Sequence, residues 1–102
     1  MIPSLTPKEA AERSDVWILD VREPHEWDRV HLPNSHHIPL AALPQRAGQL
    51  PENRPIACLC HHGIRSLHAA RLLRSAGFPE VYNIEGGIDR WAREVDPELP
   101  RY

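Results

Sequence analysis

The sequence is poor in cysteine, in clustered charge and in long apolar runs, and each shortage removes a class of protein. Its two cysteines, Cys58 and Cys60, lie two positions apart. A bridge between them would close a tiny loop between side chains pointing the same way along a strand and would pin nothing. A disulfide scaffold is therefore excluded, and a reducing, cytoplasmic setting is expected. Twelve basic residues stand against fourteen acidic ones, a formal charge of −2, and the basic residues form no run. Binding to nucleic acid is not expected. No stretch approaches the ~20 apolar residues of a membrane helix, and Met1-Ile2-Pro3-Ser4 does not begin a signal sequence, so no membrane association is expected either. Lysine is nearly absent, with Lys8 alone against eleven arginines; genome composition and heat adaptation would both produce that bias.

What remains suits one compact domain over residues 1–102, with a polar tail at about 95–102 and a monomer as the default. Proline is abundant, but Pro7, Pro24, Pro33, Pro39, Pro44, Pro51, Pro55, Pro79 and Pro97 fall between apolar segments, where they act as punctuation. Thr6-Pro7-Lys8-Glu9 carries a cap, a proline at the first helical position and a glutamate three after the cap. A short helix to about Ser14 is expected. Val16 to Leu19 and Ile56 to Leu59 are continuously apolar, as strands buried on both faces of a parallel sheet are. His36-His37-Ile38 is a weaker strand, Leu40 to Leu50 reads as helical but broken at Pro44, and Val81 to Ile84 is the last strand. Between the last two long strands, Ala69, Leu72, Leu73 and Ala76 repeat at helical spacing, with Arg71 and Arg74 on the wet side and Gly77 as the stop. A short helix around Ile88 and Trp91 closes the pattern. Strands alternating with helices give an α/β domain with a mostly parallel sheet.

In such sheets ligands bind beyond the carboxyl ends of the strands. One of those ends delivers Cys60-His61-His62-Gly63-Ile64-Arg65-Ser66. Cys60 falls between a buried strand and the first turn of a helix, where unpaired N–H groups and the helix dipole favour the thiolate, the reactive form. Gly63 lets the loop curl so that successive N–H groups turn inward on an anion, and Arg65 adds a fixed positive charge at the rim. The plain alternative is a buried structural thiol.

These residues also carry a resemblance. Leu19-Asp20-Val21-Arg22-Glu23 with Glu26-Trp27, then His31 to Pro39, then Cys60 to Ser66, then Gly77-Phe78 with Val81 and Glu85 to Trp91 resemble, in order, the signatures of single-domain rhodaneses. The resemblance implies a five-stranded, mainly parallel sheet flanked by helices. It also implies that Cys60 accepts a sulfane sulfur from a small donor or a protein persulfide and passes it to a thiophilic acceptor, with no cofactor. The phosphatases and arsenate reductases that share this architecture are the lesser readings, because the phosphatase loop is one residue longer than the four residues between Cys60 and Arg65 here. A binding module without catalysis is the main alternative. Relatives that use thiosulfate often have a basic residue after the cysteine; His61 and His62 stand here instead, which weakens attraction for a dianion. Asn34-Ser35 replaces the usual glycine-alanine.

Around the loop, Asp20 and Arg22 are expected to pair and support it, Glu23 and Glu26 to start a helix, Trp27 to anchor the core and Cys58 to fill it. The histidines suggest a metal, but neighbouring residues should point apart and His36 and His37 should face opposite sides of a strand, so no metal site is expected.

Overall fold

The two apolar runs lie side by side at the centre of a five-stranded sheet in the computed structural model, which describes residues 1–102. The strands are β1 (Ser4–Leu5), β2 (Trp17–Asp20), β3 (Ser35–His37), β4 (Ile56–Leu59) and β5 (Val81–Ile84), in the spatial order β1-β5-β4-β2-β3. Every neighbouring pair is parallel. The helices are α1 (Pro7–Glu12), α2 (Pro24–Arg29), α3 (Leu43–Arg46), α4 (Ile64–Ser75) and α5 (Gly87–Glu94).

Side-chain alternation along the strands divides the core in two. Leu19, Ile56, Cys58 and Cys60 meet Leu43, Ala69, Ala70 and Leu73 from α3 and α4. On the other face Ile18, Ala57 and Leu59 meet Ala10, Ile88 and Trp91 from α1 and α5. The central strands β2 and β4 are thus covered on both sides, as their unbroken apolar character requires. Chain order reverses between them, since β3 lies outside β2 and β5 outside β4. The crevice at their carboxyl ends is where such a sheet holds a ligand.

Several local expectations change. Helix α1 stops at Glu12 because Arg13 turns extended and its guanidinium clasps Asp15 across the turn. Pro44 has no N–H to give, so Leu40 to Gln49 breaks into a 3-10 turn, the single turn of α3 with Pro44 in its first positions, and a second 3-10 turn. Helix α4 buries Ser66, Ala69, Ala70 and Leu73, whereas Leu72 and Ala76, expected inside, are exposed. The buried stripe is rotated because a polar residue, Ser66, begins it. Trp27 is half-buried and lies stacked against His31 and His37, outside the core. The tail also folds back: Tyr102 is half-buried and its hydroxyl accepts from Arg22 at 2.8 Å.

Arg22 is fully buried and uses all of its donors. Its guanidinium grips both oxygens of Asp20 at 2.7 to 3.1 Å and also donates to the carbonyls of Glu26 and Val30, so the helix α2 hangs from the end of β2. Removing one member of such a pair strands a buried charge. Arg22→Ala is expected to lose about 3–5 kcal/mol of unfolding free energy, measured as a fall in the urea midpoint; a loss under 1 kcal/mol would show that Asp20 finds another partner.

Candidate active site

The loop after β4 is shaped by backbone constraints before any side chain acts. Gly63 has φ of 103°, a left-handed conformation that a side chain would strain, and it caps the start of α4. Behind the loop, the first turn of α5 reaches the peptide units of Cys60 and His61. Ile88 N–H donates to the Cys60 carbonyl at 2.8 Å and Asp89 N–H to the His61 carbonyl at 3.1 Å. That approach needs Gly87, where a Cβ would lie 2.4 Å from the His61 carbonyl oxygen and 2.5 Å from that of Cys60. The carbonyls are thereby pulled to one side of the loop.

The N–H groups have a different fate. Gly63 N–H and Ser66 N–H donate to the Cys60 sulfur at 3.1 and 3.3 Å. Those of His61, His62, Ile64 and Arg65 meet no acceptor in the protein. Six consecutive peptide donors therefore surround or adjoin one sulfur at the start of a twelve-residue helix, an arrangement that favours negative charge at that point. Cys60 itself is only 1% exposed.

A residue the sequence reading passed over ties this ring together. Asn83, at the sheet's carboxyl edge on β5, accepts from Ser66 Oγ at 2.5 Å and donates its amide to the Gly63 carbonyl at 3.1 Å. Ser66 Oγ in turn accepts from the Cys60 thiol at 3.3 Å. The two residues whose N–H groups touch the sulfur are thus held by one amide. The signal was a lone amide in the strand Val81-Tyr82-Asn83-Ile84, where burial demands a partner.

Arg65 does not stand free at the rim. It forms a two-pronged pair with Glu26 at 2.6 and 2.9 Å, and Glu26 also accepts from the Tyr102 hydroxyl at 2.9 Å. The Arg65 guanidinium holds the Glu26 carboxyl down at about 2, against the opposing effect of burial. Glu26 starts its helix as expected, since it accepts from the Glu23 N–H, but its carboxylate also closes the outer wall of the site. Asp20 and Arg22 pair with each other two residues away and reach the loop through this chain of contacts.

His61 and His62 do not point apart; their rings lie 3.9 Å apart, tilted by 32°, and His61 stacks on Tyr102 at 3.9 Å. Burial first, and then His62, lowers the His61 pKa below its ordinary value. Their nitrogens and an Asp89 oxygen lie within 4.8 Å of one another. The Asp89 carboxylate is already held by Arg93 and Arg101. His36 and His37 do face opposite ways, one on Trp17 and the other on Trp27. Cys58 is buried beside Cys60 on the same sheet face, and burial pushes its thiol well above the ordinary range.

The family model described as the rhodanese-like domain matches residues 6–94. MoeZ of Mycobacterium tuberculosis, named a probable adenylyltransferase/sulfurtransferase, is 32% identical over 105 residues, which cover 97% of this chain and 27% of that protein. The thiosulfate sulfurtransferase GlpE of Vibrio cholerae is 33% identical over 82 residues, covering 80% of this chain and 77% of its own length. Among solved structures, a rhodanese-related protein from Thermoplasma volcanium matches with a TM-score of 0.86 at 32% identity, covering 98% of this chain and 99% of that one. The chain spans about a quarter of MoeZ. No helix is long and apolar enough to cross a membrane.

Two outcomes follow from this geometry. Because Glu26 is held below its ordinary value of 4.5, its contribution to stability is complete above about pH 4.5 and disappears as pH falls towards 2. Glu26→Gln should be less stable by about 1–2 kcal/mol at pH 7, with the gap closing between pH 4.5 and 2 in urea titrations; a gap independent of pH would refute the ion pair's role. Asn83→Ala should lose about 2 kcal/mol and speed amide exchange at Gly63 and Ser66 ahead of the sheet. Unchanged protection of those two amides would show that Asn83 does not hold the ring.

Proposed function

The chain belongs to the rhodanese-like family, and we propose that it is a sulfurtransferase working through a persulfide on Cys60. The observation that carries this reading is the ring of N–H groups around the sulfur: two of them donate to it and four more have no acceptor. A thiolate and the persulfide formed from it are both anions, so one set of fixed dipoles stabilises reactant and product alike. A general base is not needed.

With thiosulfate as donor, the Cys60 thiolate attacks the outer sulfur and a new S–S bond forms. The S–S bond within the donor breaks, and its electron pair leaves on sulfite. The sulfane sulfur crosses without a change in the total number of electrons. An acceptor thiolate or cyanide then attacks the outer sulfur of the Cys60 persulfide and returns the thiolate. His61, His62, Gly63, Ile64, Arg65 and Ser66 hold the persulfide through their backbone, while Asp20 and Arg22 keep the wall in place.

The donor is less defined by this wall. Arg65 is neutralised by Glu26 and burial biases His61 against its charged form, so attraction for an anion comes chiefly from peptide dipoles. That balance favours a donor of low charge, such as a protein persulfide, alongside the thiosulfate that the GlpE relative's name specifies. Two free cysteines agree with a reducing, cytoplasmic setting.

Incubation with thiosulfate followed by intact-mass measurement tests the reading. The native chain and Cys58→Ser should each become one sulfur atom heavier and lose it to cyanide, whereas Cys60→Ser should stay unchanged. A sulfur gained by Cys60→Ser, or none gained by the native chain from thiosulfate or a small persulfide, would leave a binding module without catalysis as the better description.

A further inference from the structure

Of the eleven arginines, ten have a partner. Arg13, Arg22, Arg65, Arg90, Arg93 and Arg101 form ion pairs, Arg46, Arg54 and Arg74 donate to side-chain or backbone oxygens, and Arg29 lies over the Tyr102 ring. Arg71 alone has none. It sits on the exposed face of α4, the helix that begins in the Cys60 loop.

That face is unusual in two further ways. Three large apolar residues are exposed in the whole chain, and two of them, Ile64 at 80% and Leu72 at 38%, lie here. At 100° per residue, Ile64, His68, Arg71, Leu72 and Ser75 fall within one sector, opposite the buried Ser66, Ala69, Ala70 and Leu73. Leu72 lies eight positions after Ile64, so the stripe runs about 12 Å along the helix, starting next to the loop. Charge is also one-sided. Between Glu52 and Glu80 the sequence holds four arginines and no acid, although acids outnumber bases in the chain as a whole.

An unpaired guanidinium beside two exposed aliphatic side chains, on a stripe that begins next to the Cys60 loop, is matched by an acidic surface with an apolar anchor. We infer that the exposed face of α4 is the docking site for an acidic segment of a partner protein that delivers sulfur to Cys60 as a cysteine persulfide. This rests on the sulfur-transfer reading and names the partner's chemistry. The Cys60 thiolate attacks the outer sulfur of the partner's persulfide; the Cys60 S–S bond forms, the partner's S–S bond breaks, and the electron pair leaves on the partner's cysteine. The persulfide proton stays with the transferred sulfur or passes to water. Because the sulfane sulfur carries the oxidising equivalent with it, no other oxidant takes part.

The test uses two synthetic peptide persulfides, each with leucine beside the cysteine and flanked by either three glutamates or three lysines, with thiosulfate as the small donor. Loading of Cys60 is followed by intact mass on the native chain, Arg71→Glu and Leu72→Ser. At low salt the glutamate peptide should load about tenfold faster than the lysine peptide, and the gap should shrink to about twofold near 0.5 M salt. Arg71→Glu should erase or reverse that preference. Leu72→Ser should slow the glutamate peptide about threefold, and both variants should load from thiosulfate within about twofold of the native rate. Equal rates for the two peptides, or a preference that survives Arg71→Glu, would overturn the docking site while leaving sulfur transfer intact. A thiosulfate rate falling in step with the peptide rate would also overturn it, by assigning Arg71 to general steering of anions. Failure of every donor to load Cys60 would overturn sulfur transfer and the docking site with it.

Discussion

Everything at this site depends on where two carbonyls point. The first turn of α5 draws the carbonyls of Cys60 and His61 towards itself, and Gly87 is the residue that permits so close a contact. A loop whose carbonyls are fixed on one side has its N–H groups free for the other. The anion-binding character of the ring is thus a backbone property, set by a helix almost thirty residues further along the chain. That dependence explains why a double glycine in the β5-α5 turn belongs with the active-site loop as one functional unit. Neither means anything chemically without the other.

The side chains build a wall around this ring and leave it almost electrically neutral. Asp20 answers Arg22 and Glu26 answers Arg65, with the Tyr102 hydroxyl joining the two pairs. Both pairs are multiply hydrogen-bonded, the Asp20–Arg22 pair fully buried and the Glu26–Arg65 pair partly exposed, and both are local in their field because each charge has its opposite within hydrogen-bond distance. Selectivity at the sulfur is accordingly a matter of dipoles and shape. Attraction for a protein partner, as distinct from a small anion, is left to surfaces where charge is unbalanced, and α4 is such a surface.

Much of this could be read from residues in order. The continuous apolar runs identified β2 and β4, the short segment Val81 to Ile84 identified β5, and the capped proline identified α1, because these signals are local and short-ranged. The loop from Cys60 to Ser66 was legible for the same reason. Strand β1 was not: it has two residues, of which only Leu5 is buried, and it exists because β5 offers it an edge. The inward face of α4 is not the one hydrophobicity picks out: leucine at position 72 outranks serine at 66, whereas the fold needs Ser66 inside to meet Cys60 and Asn83. The pairing of Arg65 with Glu26 spans thirty-nine positions, and the return of Tyr102 to Glu26 spans seventy-six. Contacts of that range leave no periodic trace in the sequence.

Cys58 gives the neighbouring cysteine an unexpected advantage. Two thiols on one face of a strand would ordinarily compete: the second, as a thiolate, would attack the inner sulfur of a persulfide on the first, forming a disulfide and releasing hydrosulfide. Deep burial keeps Cys58 protonated, and a thiol is a poor nucleophile. On the proposed persulfide route, sulfur on Cys60 would therefore meet no competing thiolate at Cys58, and the lifetime of the loaded state would be set by the arrival of a molecule from outside.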